Sequence, residues 1–394
     1  MKRTLLIAFL SILLVGAIIY RPDDAFQASL QGLTIWWNIV FPGLLPFLAL
    51  LELMLAFGGV HFLGTLLNPL MRRLFRLPGE AGFAMAMGWT AGSPSGAEAA
   101  TALRRSGLVS RTEGQRLLAL SHMPSPLFML LVVGAGFMHR PELGIVIAAI
   151  VWLVGLASGL VHARITNAGD QSAPAVTDNR PLFRRAATAM ADARKADGRT
   201  FGKTLGDAVT TSVYKLMAIG GFMMICAVLV RLLEPLMPSQ LPSYILPGLI
   251  ESHIGAYAAA VSEQSGGLAW NAAAIAAVLS WGGISSLLQA ASSVSGTDLS
   301  VRPLLLMRLA QSALAFAATI ALWRPVTGAL AAFFPASTTT LEHMGGSVHP
   351  FTQTVQAGDL FSLWPFMPLV LLLFAGGVLV LAIASVSAPR KWTR

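Results

Sequence analysis

Charge is what this sequence has least of. Only 11% of its 394 residues are Asp, Glu, Lys or Arg, against about 25% in an ordinary soluble domain. A folded chain so poor in charge cannot clothe its surface for water, and 55% of the residues are hydrophobic. That composition argues against a soluble enzyme. It also excludes disorder, which requires low hydrophobicity and high net charge. Cysteine is nearly missing too. Cys226 is the single thiol and lies in an apolar run, so neither an internal disulfide nor a thiolate metal cluster is available. Lys and Arg are absent from one long stretch, residues 327–360. What remains abundant is apolar sequence, and the solvent it implies is the lipid bilayer.

A transmembrane helix needs about 20 mostly apolar residues. Candidate spans are 4–20, 30–58, 117–138, 143–163, 206–233, 270–293, 303–325 and 361–386. The net charge of +9 reads as topology rather than nucleic-acid binding, because cytoplasmic loops carry an excess of Lys and Arg. Basic residues mark both chain ends and the stretch 164–203, which holds eight of them. Those regions are expected inside and residues 327–360 outside, so both termini are cytoplasmic. Residues 1–20 could be a cleaved signal peptide, but the poor cleavage site favours a retained helix.

Two segments do not fit as simple spans. Residues 78–105 have basic flanks on both sides and are broken by Gly92, Pro94 and Gly96. That pattern predicts a re-entrant helical hairpin. Residues 242–262, with Pro242, Pro247-Gly248 and Glu251-Ser252-His253, predict a second. The fold class is therefore an all-α polytopic membrane protein of about eight transmembrane helices plus two re-entrant hairpins. Each hairpin follows one span and precedes two, and the two units start on opposite sides, an inverted repeat of the kind common in secondary transporters. The resulting organisation is an N-terminal helix and turn (1–29), a first repeat (30–163), a basic cytoplasmic linker (164–203) and a second repeat (204–326). An external loop (327–360) and a C-terminal helix with its tail (361–394) follow. The stretch 60–77 is amphipathic and reads as an interfacial helix. Trp36, Trp37, Trp152 and Trp323 read as interfacial anchors.

Irregular backbone at membrane depth survives only when it is buried in protein or lines a wet cavity. The break at Ser93, Pro94 and Ser95 would offer amides and hydroxyls to a polar or anionic solute. Glu98 beyond it is either a site residue or a complement to the helix dipole. The second hairpin places Glu251, Ser252 and His253 together, and a carboxylate beside an imidazole can carry a proton. Two further breaks complete a candidate ring: Ser121, His122 and Ser125 in one span, and Ser285, Ser286 and Gln289 in the corresponding span of the second half. For any one serine, close helix packing is the better explanation, and only the four breaks taken together point to a site. No enzyme signature stands out. Pro94 occupies the serine position of a nucleophile elbow, and Asp197 the glycine position of a P-loop. No His pair stands at metal-ligand spacing on one helix. No cofactor is expected beyond a coupling cation, H+ or Na+.

The motifs Gly92-Ser93-Pro94-Ser95-Gly96-Ala97, Arg116-Leu117-Leu118 and Ser121-His122-Met123-Pro124-Ser125-Pro126-Leu127-Phe128 resemble those of YlbJ-type sporulation integral membrane proteins. So do Phe201 to Val209 and Trp281-Gly282-Gly283-Ile284-Ser285-Ser286. That family is similar to the nucleoside-recognition, or gate, proteins and distantly to concentrative nucleoside transporters. The resemblance implies a multi-pass protein of the bacterial cytoplasmic membrane in a family needed for spore formation, with cortex assembly as its context. Two functions are expected to compete: a permease for a small polar or anionic solute, nucleoside-like solutes included, and a non-transporting scaffold docking through residues 164–203. Expected partners are the bilayer, a small polar solute, and other copies of the chain or sporulation membrane proteins, but no nucleic acid.

Overall fold

The computed structural model describes residues 2–165, 180–262 and 267–333. The expected span at 361–386 lies outside them. Regular structure among the described residues is helical throughout. Five helical stretches are long and apolar enough to cross a membrane: Pro22–Ala56, Pro141–Ile165, Phe201–Leu236, Gly267–Ser293 and Arg302–Gly328. Two shorter apolar helices, Ala8–Tyr20 and Phe128–Phe137, accompany them.

The chain opens with α1 (Lys2–Tyr20) and α2 (Pro22–Ile35), the latter continuous through a π-helical turn, Trp36–Val40, with α3 (Phe41–Ala56). Next come α4 (Gly59–Leu70) and the first hairpin, α5 (Ala81–Ala91) and α6 (Ser95–Arg105). The span expected at 117–138 is two pieces. Helix α7 (Arg111–Ser121) stops, residues 122–125 run without helical structure, and helix resumes at Pro126 to lead into a π-helical segment Phe128–Phe137. Pro124 and Pro126 explain the gap, since proline lacks a donor and pushes its predecessor out of helical geometry. Helix α8 (Pro141–Ile165) closes the first unit.

Within the basic linker, α9 (Leu182–Asp197) forms a helix that lies along α4. Its partners include Phe183, edge-on to Phe62, and Arg194, whose guanidinium sits 4.5 Å over the Phe57 ring. The second unit comprises α10 (Phe201–Leu233), a short hairpin of α11 (Ile245–Ile250) and α12 (Ser252–Val261), then α13 (Gly267–Trp281), α14 (Gly283–Ser293) and α15 (Arg302–Phe333). At about 1.5 Å per residue, α10 is about 50 Å long and overruns the ~30 Å hydrocarbon core.

The buried core is made of small and apolar side chains running through both halves. Helix α10 packs on α2 and α3, α13 on α15, and α8 on both α13 and α15. Trp36 belongs to this packing and is not an interfacial anchor. It is 3% exposed, its indole N–H donates to Leu216 O at 2.9 Å, and its ring covers Gly220, where a Cβ would stand 2.6 Å from the indole. Trp152 likewise faces Trp89, with ring centroids 5.3 Å apart.

Candidate functional site

Four breaks in helical structure meet inside the bundle. The first lies between α5 and α6, where Gly92 has φ +83° and ψ −172°, a conformation open essentially to glycine alone. This turn seats directly on the second break. Ser121 Oγ donates to Gly96 O at 3.0 Å, and Trp89 Nε1 donates to Leu120 O at 3.0 Å. A Cβ on Gly92 would lie 2.9 Å from Ser125 Cβ, and one on Gly88 would lie 1.7 Å from Ser121 O. The contact is backbone against backbone, which is why the sequence supplies glycines and serines there.

The third break, at Glu251, seats in the same way on the fourth, at Gly282-Gly283. Both glycines have positive φ, and a Cβ on Gly283 would stand 2.9 Å from Glu251 Cα. Trp281 Nε1 donates to Leu249 O at 3.1 Å, matching the tryptophan bond of the first pair. Glu251 is extended and caps α12: its Oε2 accepts from Ile254 N at 2.8 Å, and its Oε1 lies 2.5 Å from His253 Nδ1. Here the carboxylate replaces the missing intrahelical acceptor for an orphan amide. Glu251 is 3% exposed, so the adjacent imidazole and the amide are what make its burial tolerable.

The two pairs of breaks touch each other. His253 packs edge-on against Phe128 with centroids 4.4 Å apart, and Tyr257 packs against Phe137 at 5.3 Å. Helix α12 thereby meets the π-helical segment of the first unit, and α6 meets α14 of the second.

Of the residues expected from sequence, Ser121 and His122 are buried at the second break, with Ser125 half-buried beside Gly92. Glu251 is buried, and Ser252 and His253 are half-buried, at the third. Ser285 and Ser286 are buried at the fourth, Ser286 Oγ donating to Gly283 O at 3.1 Å, while Gln289 is half-buried one turn further on. Ser93 and Ser95 are half-buried in the first turn. Glu98 stands apart. It is exposed in the first turn of α6, where a carboxylate complements the helix dipole, and no hydrogen bond or ion pair joins it to Glu251 among the described residues.

Sequence reasoning missed the strongest charge in the convergence. Arg308, on α15, is 2% exposed and lies between the second and fourth breaks. Its Nη1 donates to Ser280 O at 3.2 Å and lies 3.8 Å from Met123 Sδ. The Ser280 carbonyl belongs to the last turn of α13, the negative end of that helix, so a cation is suited to it. Two neutral acceptors, a carbonyl and a thioether, do not balance a buried guanidinium, whose cost at the centre of a bilayer is about 2.5–3.5 kcal/mol even on permissive scales. Around it are Gln311 at 2%, His122 at 2% and Ser280 at 1% exposure. A charged residue inside an apolar span was the available signal.

The two ends of the bundle differ. At one end, residues 104–115 of the first unit are clasped to residues 293–300 of the second. Arg104 grips the Asp298 carboxylate through Nε at 2.9 Å and Nη2 at 2.8 Å, Arg105 Nη2 donates to Ser295 O at 2.8 Å, and Arg111 Nε donates to Asp298 O at 3.1 Å. Gln115 exchanges two hydrogen bonds with the Ser300 backbone. The Arg104 guanidinium holds the Asp298 carboxyl below the usual carboxylate range. At the other end, a cleft of about 910 Å³ opens between α2, α10 and the second hairpin, with Gln31, Arg231, Ile254 and Tyr257 among its walls.

Comparison with known proteins places this architecture. Residues 38–330 match the family model Gate, described as nucleoside recognition. The chain is also 36% identical over 342 residues to the sporulation integral membrane protein YlbJ of Bacillus subtilis (strain 168), a match covering 82% of this chain and 83% of that one. No solved structure matches. A family model spanning most of the chain, together with helices long and apolar enough to cross a bilayer, identifies it as a multi-pass membrane protein belonging to the Gate, or nucleoside-recognition, family.

Proposed function

We propose that the chain is a permease of the bacterial cytoplasmic membrane that moves a small polar or anionic solute, with nucleoside-like solutes included. The observation that carries this reading is the meeting of four helix breaks in one buried region, with Glu251, His253, Ser285, Ser286 and Arg308 around it. Discontinuous helices whose ends face a central site are the device by which secondary transporters bind solutes and coupling ions.

The element order supports an inverted repeat of 30–163 and 204–326, joined by the linker 164–203. Long helix, hairpin, broken helix and long helix recur in the same order. The cross-contacts are reciprocal: α6 touches α14, and α12 touches the π-helical segment that corresponds to α14 in the first unit. With both termini inside, the clasp at Arg104 and Asp298 closes the cytoplasmic end while the cleft opens outside. Alternating access then requires that clasp to break. The Glu251–His253 pair, a carboxylate against an imidazole, is positioned to take up a coupling proton.

The similarity to a protein named for sporulation supports a role in spore formation. A second reading, a scaffold that docks sporulation proteins or further copies of the chain, is favoured by one observation: α9 presents exposed Arg184 and Lys195 on a helix anchored to α4. Complementation of a Bacillus subtilis strain lacking its YlbJ relative separates the two. The permease reading expects Glu251→Gln to lower both spore yield and solute uptake, and Arg184→Glu with Lys195→Glu to leave them unchanged. The opposite pattern, in protein that still inserts, favours the scaffold.

A further inference from the structure

The guanidinium of Arg308 is held by one edge and open at another. Nη1 is engaged with Ser280 O, whereas Nε and Nη2 have no hydrogen-bond partner among the described residues. These two N–H groups lie side by side on the edge that receives a carboxylate or phosphate through two parallel bonds. The same molecule demonstrates the fit, because Arg104 grips the Asp298 carboxylate with its own Nε and Nη2. No acid among the described residues reaches the corresponding edge of Arg308.

The surroundings are polar and equally unengaged. Gln311, one turn along α15, has both Oε1 and Nε2 buried without partners, and Ser280 Oγ is in the same state. Both ring nitrogens of His122, the residue before Met123, are also buried without partners. Left unmade, buried hydrogen bonds of this kind are costly. Four adjacent side chains sharing that condition, at the junction of two broken helices, describe a receptor rather than a packing defect.

We propose that Arg308, with Gln311, Ser280 and His122, binds an oxyanion group of the solute, a carboxylate or a phosphate, and thereby sets the charge selectivity of the permease. This rests on the permease reading above and narrows it to anionic solutes. Arg308 neutralises and orients the oxyanion, and Gln311 and Ser280 supply further donors. The Ser280 contact ties the bound anion to the end of α13, and Met123 ties it to the break of the first unit.

The test uses the purified full chain in detergent at matched ionic strength, with melting followed in the presence of succinate, inorganic phosphate or uridine. A ligand that binds only the folded state raises its stability. Succinate or phosphate is expected to raise the melting temperature, the responding arm naming the group, and uridine is not. Arg308→Lys keeps the charge but loses the two-pronged grip, so apparent affinity should fall roughly tenfold to hundredfold. Gln311→Ala removes no hydrogen bond made by the folded chain. It should melt as wild type without ligand while binding the anion several-fold more weakly, which a purely structural role would not produce. If neither anion stabilises the wild type, or if both variants respond as the wild type does, the assignment is overturned. Anion binding that depends on Arg308 without uptake in proteoliposomes supports the site and refutes the permease. Uptake of uridine unaffected by Arg308→Lys refutes the site and leaves the permease.

Discussion

The seating of the first hairpin on the second break makes a sharp demand on Gly96. A Cβ there would stand 2.0 Å from Ser121 O and 2.6 Å from Ser121 C, and its other near neighbour is the Gly88 Cα at 2.8 Å. None of these is the end of a flexible side chain. Relief requires the turn and the broken helix to part by about 1 Å, disturbing the bonds from Ser121 Oγ to Gly96 O and from Trp89 to Leu120 O. Such overpacking costs about 1–3 kcal/mol and sometimes more. The substitution Gly96→Ala also gains up to about 1 kcal/mol of helix propensity. At the upper end of that range the net effect is a loss of about 2 kcal/mol. The matched control is Gly206→Ala on α10, where nothing lies within 4 Å of the new Cβ, and propensity alone should leave stability unchanged or improved. Melting temperatures of the two variants in the same detergent, with uptake measured beside them, make the comparison. A drop of several degrees and lost uptake for Gly96→Ala is expected. Gly96→Ala melting at or above wild type would refute the claim that the breaks are locked by backbone contact.

Three more outcomes follow from named contacts. At the second hairpin, Glu251→Ala removes both the bond to Ile254 N and the His253 pair, whereas Glu251→Gln retains an acceptor for the amide. The alanine variant should therefore be less stable than the glutamine one by the worth of a helix cap, about 0.5–2 kcal/mol, in thermal melts. At the clasp between Arg104 and Asp298, Asp298→Asn should cost only about 0.2–1 kcal/mol, since the pair is partly exposed. Because the folded carboxyl titrates below its ordinary range, the clasp's contribution is full above about pH 4 and is lost as pH falls through the lowered value. Stability that changed on Asp298→Asn at pH 3 as much as at pH 7 would contradict this. Between α3 and α10, Lys215 pairs with Glu52. Lys215→Met should melt below the double variant Lys215→Met with Glu52→Leu, because the single change strands a carboxylate.

Much of this architecture is legible in the sequence because lipid imposes a strong rule: backbone must be satisfied locally, so every departure from a long apolar run stands out. Gly92 to Gly96, Met123 to Pro126 and Gly282-Gly283 announce themselves by proline and paired glycine, and all three are breaks in the structure. Charge pattern alone did not weigh the acids correctly. Glu98 and Glu251 are equally rare in apolar sequence, yet one is exposed on a first helical turn and the other buried as a cap. That difference lies in which neighbour the turn faces, a tertiary fact. Trp36 resembled an anchor because tryptophan is common at membrane interfaces, but Gly220 on α10 makes a pocket for its ring. The linker reads as polar and Ala-rich, and α9 forms in it because Phe183 and Arg194 find aromatic partners more than 100 residues away. Arg308 was legible as a lone charge within a span. Its importance came from long-range packing that sets it beside His122 and Ser280.

The central claim is that the four breaks line one solute path between the halves. The single native cysteine makes this directly measurable, since Cys226 is buried and can be replaced. New cysteines at Ser125, Ser252 and Ser286, with Ser158 on α8 as a control, would be exposed to a small membrane-impermeant thiol reagent in oriented vesicles. The account predicts that the three break positions react through water, that transported solute protects them, and that Ser158 does not react. Break positions as inert as Ser158 from both sides of the membrane, in protein that is folded and inserted, would contradict it.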